Sequence, residues 1–217
     1  MPTSTWTRLS PARRESVLVA AMDEFGTHGY STGSLNVIAR EAGVAKGSLF
    51  QYFSGKLDLF TYVAHQTSLR IYAHMQPWLD GYDRTRIFGA HLVDALEAWL
   101  EYFATHPLER GVTVATNMEM NQAVRDAVLV PVNEIYESGL RPLLERAVDA
   151  GDLRKDADLD ALLSILLVML PHLATVTHAP GPDGPLPLTG RHPHTRRENL
   201  ERLVTPLLAG FVARTDQ

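Results

Sequence analysis

The chain contains no cysteine and no long uninterrupted run of apolar residues. Without cysteine it has no disulfide, no thiolate metal site and no cysteine nucleophile. Its most apolar stretch, residues 161–170, runs into a proline and a histidine and is well short of the roughly 20 residues that cross a bilayer. The amino terminus lacks an apolar segment behind its basic residues, so we expect no secretory signal. These absences favour a cytoplasmic protein without a membrane partner.

The net charge of −5 is unevenly distributed along the chain. Residues 1–56 carry six basic and four acidic side chains, a balance of +2, whereas the remaining residues carry 14 basic and 21 acidic ones. Only the first segment therefore suits a polyanion such as nucleic acid. The excess is small, and an ordinary solvated surface would often show the same balance.

Helical periodicity extends over most of the chain, and no segment alternates as a strand does. Ser10 followed by Pro11 predicts the start of a helix that ends near Gly29. A second helix over residues 35–42, capped by Ser34, and a third that starts beside Ala45 precede a fourth, which we expect to end at Pro77. Further helices are predicted over about 84–105, 108–118, 123–150, 157–177 and 195–213. The predicted fold is all-α, with about nine helices and an exposed proline-rich loop over residues 179–194.

Two short helices joined by a glycine-containing turn, with small polar residues at the front of the second one, are typical of a helix-turn-helix. The front of the second helix would enter the major groove of DNA, where short side chains permit close approach. Inward-facing rings would hold so short a helix in place, because it would be marginal by itself. Leu49 and Phe53 are expected to serve this packing role.

Residues 14–60 resemble the DNA-binding domain of the tetracycline repressor (TetR) family. The resemblance depends on several motifs in fixed order, namely Phe25, Gly29-Tyr30, Ile38-Ala39, Ala42-Gly43-Val44, Gly47, Phe53 and Lys56. It implies a three-helix DNA-binding domain over residues 1–56. It also implies a helical effector-binding and dimerisation domain over residues 57–217.

The resemblance implies particular DNA contacts. Ser34 matches a position that commonly binds phosphate, and Lys56 matches a lysine that meets the DNA backbone. Gln51 is the best candidate for reading a base, because a carboxamide can pair with adenine through two hydrogen bonds. The positions implied on the recognition helix are Lys46, Gly47, Ser48, Gln51 and Tyr52.

Three positions depart from the family pattern. Ala45 stands where a capping serine is usual, which should weaken the recognition helix by about 1 kcal/mol. Phe50 replaces a usual tyrosine and so lacks a phosphate-binding hydroxyl, and Leu57 replaces a usual glutamate. These differences leave the predicted architecture intact.

The later helices carry rings, thioethers and a few polar groups, a mixture that suits an apolar pocket but also an ordinary core. The family resemblance implies that a small lipophilic effector binds among them. We predict an effector site formed by Trp99, Tyr102, Phe103, Met118 and Tyr136. No metal or other cofactor is expected.

The last two long helices carry many leucines, more than the single stripe that a surface helix needs. We therefore predict a homodimer in which these helices form a four-helix bundle across a two-fold axis. The predicted function is a dimeric repressor that binds palindromic operator DNA and leaves it when the effector binds.

Two other classes of function compete with this interpretation. An all-α enzyme would need a metal or nucleophile motif, and we find neither paired Glu-x-x-His elements nor a Gly-x-Ser-x-Gly elbow. We therefore predict that the protein is not an enzyme. An architectural DNA-binding protein without an effector is the second alternative, and a middle domain without a cavity would favour it.

Overall fold

The computed structural model of the chain describes residues 2–176, 185–188 and 193–213. Within these ranges the chain forms helices and no strand, which confirms the all-α prediction. The described residues contain ten helices: α1 (Ser4–Thr7), α2 (Pro11–Thr32), α3 (Leu35–Glu41), α4 (Lys46–Tyr52), α5 (Lys56–Asp80), α6 (Phe88–Thr105), α7 (Pro107–Asn117), α8 (Gln122–Ala150), α9 (Leu159–Val176) and α10 (Pro193–Leu208).

The helix termini follow the sequence signals at several places and depart from them at others. The Ser10 hydroxyl accepts the Arg13 N–H, as an N-cap should. At Gly29, where the helix was predicted to end, the structure has a sharp kink, because this residue has a φ of 70° that glycine adopts readily. The helix then resumes and ends at Thr32. The short α1 was not predicted. Most of the predicted proline-rich loop lies outside the described residues.

Pro77 does not end α5, contrary to the prediction. The helix continues to Asp80. A proline removes one backbone hydrogen bond, but the turn that follows is held by Leu79, which is buried in the core. Burial of this side chain offsets the lost bond.

The internal contacts divide the chain into two compact units. The first unit comprises Met1–Arg70 and His106–Glu134, and the second comprises Ile71–Thr105 and Ile135–Gln217. Both α5 and α8 contribute residues to each unit. The predicted division into two functional domains at residue 56 stays a prediction.

The first unit is organised around α2, which packs against both α3 and α7. Glycines allow α2 and α7 to approach closely, since a Cβ atom added at Gly26 would lie 3.1 Å from the backbone of Gly111. Phe25 of α2 packs on Phe60 of α5 with 5.0 Å between ring centroids. These contacts give the short helices α3 and α4 a rigid support.

The second unit has a continuous apolar core built from α5, α6, α8, α9 and α10. Leu100, Leu144, Leu162 and Leu200 are among its fully buried members. On its surface, Arg197 of α10 binds Asp94 at 2.8 Å and Glu97 at 2.6 Å, which ties α10 to α6.

Candidate functional site

The turn between α3 and α4 is held from behind by α2. Gly43 in this turn has a φ of 64°, which a residue with a side chain rarely adopts. The Arg13 guanidinium donates to the Gly43 carbonyl at 2.8 Å, and the Ser16 hydroxyl donates to the Ala42 carbonyl at 3.1 Å. Two hydrogen bonds from one helix therefore fix the angle at which α4 leaves the turn.

The recognition helix α4 has one buried and one exposed side. Leu49 is buried, and so is Phe53 directly after the helix. Lys46, Gly47 and Gln51 are exposed, and Ser48 is half-buried. A Cβ atom added at Gly47 would meet nothing within 4 Å, so packing inside the chain does not require glycine there. The exposed side is thus polar and free of bulk at its front, as a surface that approaches base edges must be.

Tyr52 differs from the other predicted DNA contacts because its ring belongs to the core. It is 7% exposed and lies 5.7 Å from the ring of Trp6. The neighbouring Phe50, which was not among the predicted contacts, is 51% exposed. The helical period alone does not separate these two rings, because Gln51 lies opposite Leu49 whereas Phe50 and Tyr52 lie on the two flanks of the helix between them.

The carboxyl end of α4 is tied to the segment that contains α1. The Thr3 N–H donates to the Tyr52 carbonyl at 2.9 Å, and the Thr3 hydroxyl donates to the Gln51 carbonyl at 2.6 Å. Trp6 is buried against Phe53 with 4.9 Å between ring centroids. This segment supplies orphan carbonyls at the helix end with donors, so it helps to position the recognition helix.

Ser34 lies at the N-cap of α3, but its hydroxyl makes no capping hydrogen bond. The expectation that Ser34 caps α3 with its side chain is therefore wrong. Its backbone N–H donates instead to a carboxylate oxygen of Glu24, at 2.7 Å. The buried Glu24 fixes the start of α3 from α2, and this leaves the Ser34 hydroxyl available to another acceptor or donor.

Lys56 begins α5 and contacts the last turn of α2. Its ammonium donates to the Ser31 carbonyl at 3.0 Å and lies 4.9 Å from the centre of the Tyr30 ring. Burial lowers the pKa of the Lys56 ammonium, and the negative charges of Glu119 and Glu24 oppose this shift in part. The lysine remains half-buried, so DNA would have to compete with these contacts.

The second unit contains a narrow apolar cavity with a volume of about 50 Å³. The lining comes from α5, α6, α8 and α9, and none of its thirteen residues carries a charge. The residues are Tyr72, Met75, Trp78, Leu79, Leu92, Ala95, Leu96, Trp99, Tyr136, Leu140, Leu143, Leu166 and Leu170. The lining has the apolar character of a small-molecule site, but the space is smaller than the roughly 300 Å³ at which such sites begin. A ligand would therefore have to move side chains apart.

The predicted effector residues are only partly brought together. Trp99 and Tyr136 line the cavity, with 6.0 Å between their ring centroids. Phe103 lies behind Trp99 in the core, and Tyr102 packs on Phe103. Met118 belongs to the first unit and is 55% exposed, and its place in the effector site stays a prediction.

Sequence reasoning missed the part of the lining that α5 and α9 supply. Tyr72, Met75 and Leu79 recur at i, i+3 and i+7, and Leu166 and Leu170 at i and i+4, which places each set on one helix face. That spacing predicts a buried face but gives no sign of whether the face meets a neighbour or a cavity. The cavity becomes visible only when the four helices are packed together.

The apolar helix α9 is only partly covered by its own chain. Leu162, Leu163 and Leu166 are buried, whereas Ile165 and Val168 are exposed, Val168 at 67%. In length and composition α9 could cross a membrane, and 28% of its residues are buried within the chain. The ten-residue stretch considered from the sequence alone was therefore too short a measure of this helix. A helix buried in the core of a soluble protein, or one covered by a partner, can have the same length and apolar composition.

Across residues 2–176, 185–188 and 193–213 there is no group of three or more histidine and acidic side chains placed to hold a metal ion. His172, for example, uses its Nδ1 atom at 2.9 Å from the Val168 carbonyl within its own helix.

Comparison with known proteins gives a consistent result. The sequence profile of bacterial regulatory proteins of the tetR family matches residues 17–63. The transcriptional regulator AcuR of Cereibacter sphaeroides is 30% identical over 159 residues, which are 68% of this chain and 68% of that protein. The transcriptional repressor AcnR of Corynebacterium diphtheriae is 24% identical over 78% of this chain and 83% of that protein.

Solved structures share the fold at low sequence identity. A TetR-family regulator from Chloroflexus aurantiacus covers 99% of this chain with all of its own, at a TM-score of 0.63 and 23% identity. The regulator FadR of Bacillus subtilis, solved in complex with stearoyl-CoA, matches 90% of this chain and 95% of its own at a TM-score of 0.65 and 15% identity.

The helix-turn-helix held by α2, together with the helical second unit, defines the class of the protein. It is a DNA-binding transcriptional regulator. Within that class, the chain belongs to the TetR family. Its relatives are regulators rather than enzymes.

Proposed function

We propose that the protein is a dimeric repressor that binds palindromic operator DNA and is released by a small lipophilic effector held in the cavity of the second unit. One observation carries this proposal: α4 buries Leu49 and presents Lys46, Gly47 and Gln51 to solvent on a firmly held scaffold. A polar, uncrowded and rigid helix face is what direct readout of the major groove requires.

The proposed DNA contacts divide into two kinds. Gln51 and Ser48 would read base edges, while Lys46, Ser34 and Lys56 would bind phosphates. The free Ser34 hydroxyl and the exposed Lys46 ammonium support the phosphate contacts. The buried ring of Tyr52 restricts its contribution to the edge that remains exposed, and Gly47 would contribute by allowing close approach.

The proposed dimer interface lies on α9 and α10. The exposed side chains of Ile165 and Val168 form an apolar surface on α9 that water would otherwise cover at a cost in free energy. A two-fold axis along this surface would bury it and would hold two recognition helices about 34 to 36 Å apart, one turn of DNA.

The coupling of effector and DNA follows from thermodynamic linkage. An effector weakens DNA binding only if it binds better to a conformation in which the two recognition helices are wrongly spaced. The proposed lever is α5, because it begins at Lys56 in the first unit and carries Tyr72, Met75 and Leu79 of the cavity lining in the second.

The relatives support both parts of the proposal. AcnR is named a repressor, and FadR has been solved with stearoyl-CoA, a molecule with a long apolar chain. The apolar lining of the cavity, which a ligand would have to widen, supports a sensor over the alternative of an architectural DNA-binding protein without an effector. No observation favours an enzymatic function.

The test begins with selection of bound sequences from randomised duplexes by the purified protein. We expect an inverted repeat whose affinity, measured by fluorescence anisotropy, falls when an effector binds. Lys46→Glu should abolish this binding, whereas Lys155→Glu, an exposed change in the second unit, should leave it unchanged. Selection of no preferred sequence, or an effector that binds without changing DNA affinity, would refute the repressor mechanism.

A further inference from the structure

We propose that Phe50 sets part of the operator specificity by contacting the 5-methyl group of one thymine in each half-site. This inference rests on the proposed function, because it takes α4 to be the helix that enters the major groove. It goes further, since it assigns base readout to a residue outside the predicted DNA contacts and names the base that this residue reads.

Phe50 differs from every other phenylalanine of the chain in its exposure to solvent. The structure describes all seven phenylalanines, and the other six are buried or half-buried. Phe50 is 51% exposed, although Leu49 and Tyr52 of the same short helix are buried. An exposed ring keeps a large apolar surface in water, so covering this surface contributes favourable free energy to a contact that Phe50 makes.

The Phe50 side chain covers the front of α4. It lies on the flank that Lys46 and Gly47 share, because these residues precede it by four and three positions. Side chains of a helix lean towards its amino terminus, so a residue covers the surface over the preceding turn. A Cβ atom added at Gly47 would meet nothing within 4 Å, so the space beside the ring is open to a base.

The backbone on both sides of Phe50 is firmly held. Leu49 is buried, and its carbonyl accepts the Phe53 N–H at 2.8 Å. The Gln51 carbonyl accepts the Thr3 hydroxyl at 2.6 Å. Because the backbone is fixed in advance, little conformational entropy is lost when DNA covers the ring.

The chemistry of the phenyl ring selects thymine. The ring has no hydrogen-bonding group, so the donors and acceptors of the base edges offer it nothing. The 5-methyl group of thymine is the apolar feature that the major groove presents, and phenylalanine is among the side chains that contact it. Neighbouring Cα atoms lie about 3.8 Å apart and successive base pairs about 3.4 Å apart. We therefore expect this thymine next to the base pair that Gln51 would read.

The experiment replaces thymine by deoxyuridine, which lacks only the 5-methyl group, at each thymine of the selected inverted repeat in turn. Fluorescence anisotropy of the purified full chain measures its affinity for each duplex. We expect one position in each half-site at which the loss of the methyl group weakens binding about fourfold, the value of one buried methyl group. Replacement in both half-sites should weaken binding roughly 16-fold by the same reasoning.

Variants of Phe50 link this sensitivity to the ring. Phe50→Ala should bind the thymine and deoxyuridine duplexes equally, because the methyl group has lost its protein partner. Phe50→Tyr keeps the ring and should keep the sensitivity. Ile87→Ala, which shortens another exposed apolar side chain in the second unit, should change neither affinity nor sensitivity. Circular dichroism checks that each variant keeps the helical content of the wild type.

Three results would overturn this inference and leave operator binding in place. They are a selected repeat without thymine, a repeat that tolerates deoxyuridine at every position, and a Phe50→Ala variant that keeps the sensitivity of the wild type. The last result would assign the methyl contact to another residue. Selection of no preferred sequence would instead refute operator binding itself, and this inference with it. An effector that fails to release DNA would contradict only the repressor mechanism.

Discussion

The indole of Trp6 and the ring of Phe53 lie 4.9 Å apart, and this contact joins a four-residue helix at the amino terminus to the end of the recognition helix. The Trp6 Nε1–H also donates to the Tyr62 hydroxyl at 3.1 Å, which extends the contact to α5. Trp6 therefore fixes the position of α4 relative to α5, and these two helices carry most of the proposed DNA contacts.

Replacement of Trp6 should test this role. Trp6→Ala removes a fully buried ring and is expected to lower the free energy of unfolding by about 3 kcal/mol. Chemical denaturation followed by circular dichroism measures the loss, and Trp6→Phe should recover most of it. An unfolding curve of Trp6→Ala that matches the wild type would show that the amino-terminal segment does not support α4.

Gly47 offers a test that separates DNA binding from folding. Because a Cβ atom there meets nothing within the chain and alanine favours a helix, Gly47→Ala should raise stability by roughly 0.5 to 1 kcal/mol. The same methyl group would stand between α4 and the base edges, so operator affinity should fall at least about tenfold if the approach is close. Anisotropy and thermal melts on one preparation measure both effects. A variant that gains stability and keeps full affinity would place the DNA surface elsewhere.

Val168 tests the proposed dimer. Its exposed side chain lies on the uncovered face of α9, so Val168→Glu would place a charge in the centre of the interface. We expect the mass measured by multi-angle light scattering to fall from that of a dimer to that of one chain. Ala104→Glu, at another exposed position near the end of α6, provides the control. A dimer that survives Val168→Glu would exclude this face of α9 from the interface.

The sequence predicted the fold well where local signals are strong. The Ser10-Pro11 start and the helical periodicity depend on neighbours in the chain, and the observed α2 to α4 follow them closely. Pro77 was misjudged because burial of Leu79, a tertiary effect, outweighs the lost hydrogen bond. The short α1 escaped prediction since four residues carry no periodicity and depend on the distant Tyr52 and Phe53.

The candidate sites were predictable to different degrees. The exposed face of α4 follows from helical spacing together with motif order, whereas the burial of Tyr52 depends on Trp6, which is 46 positions away. The cavity could not be derived from aromatic content, because rings that fill a core and rings that line a space have the same pattern. Trp99 lines the cavity and Phe103 does not, although both lie on one face of α6.

The ion pairs between α6 and α10 predict a dependence of stability on acid. Burial would raise the pKa of the Asp94 carboxyl, but hydrogen bonds and charge from Arg197 and Arg86 outweigh it and hold the pKa below its ordinary value. A carboxyl with a lowered folded-state pKa stabilises the fold above its unfolded pKa and loses that contribution as the pH falls through the folded value. Asp94→Asn should therefore cost about 1 kcal/mol at pH 7, allowing for partial exposure of the pair. The difference from the wild type should shrink below about pH 4.

Urea denaturation at pH 7 and pH 3 measures this difference in stability, with Asp156→Asn, whose carboxylate is largely exposed, as the control. A cost of Asp94→Asn that is the same at both pH values would show that the ion pair contributes nothing to stability.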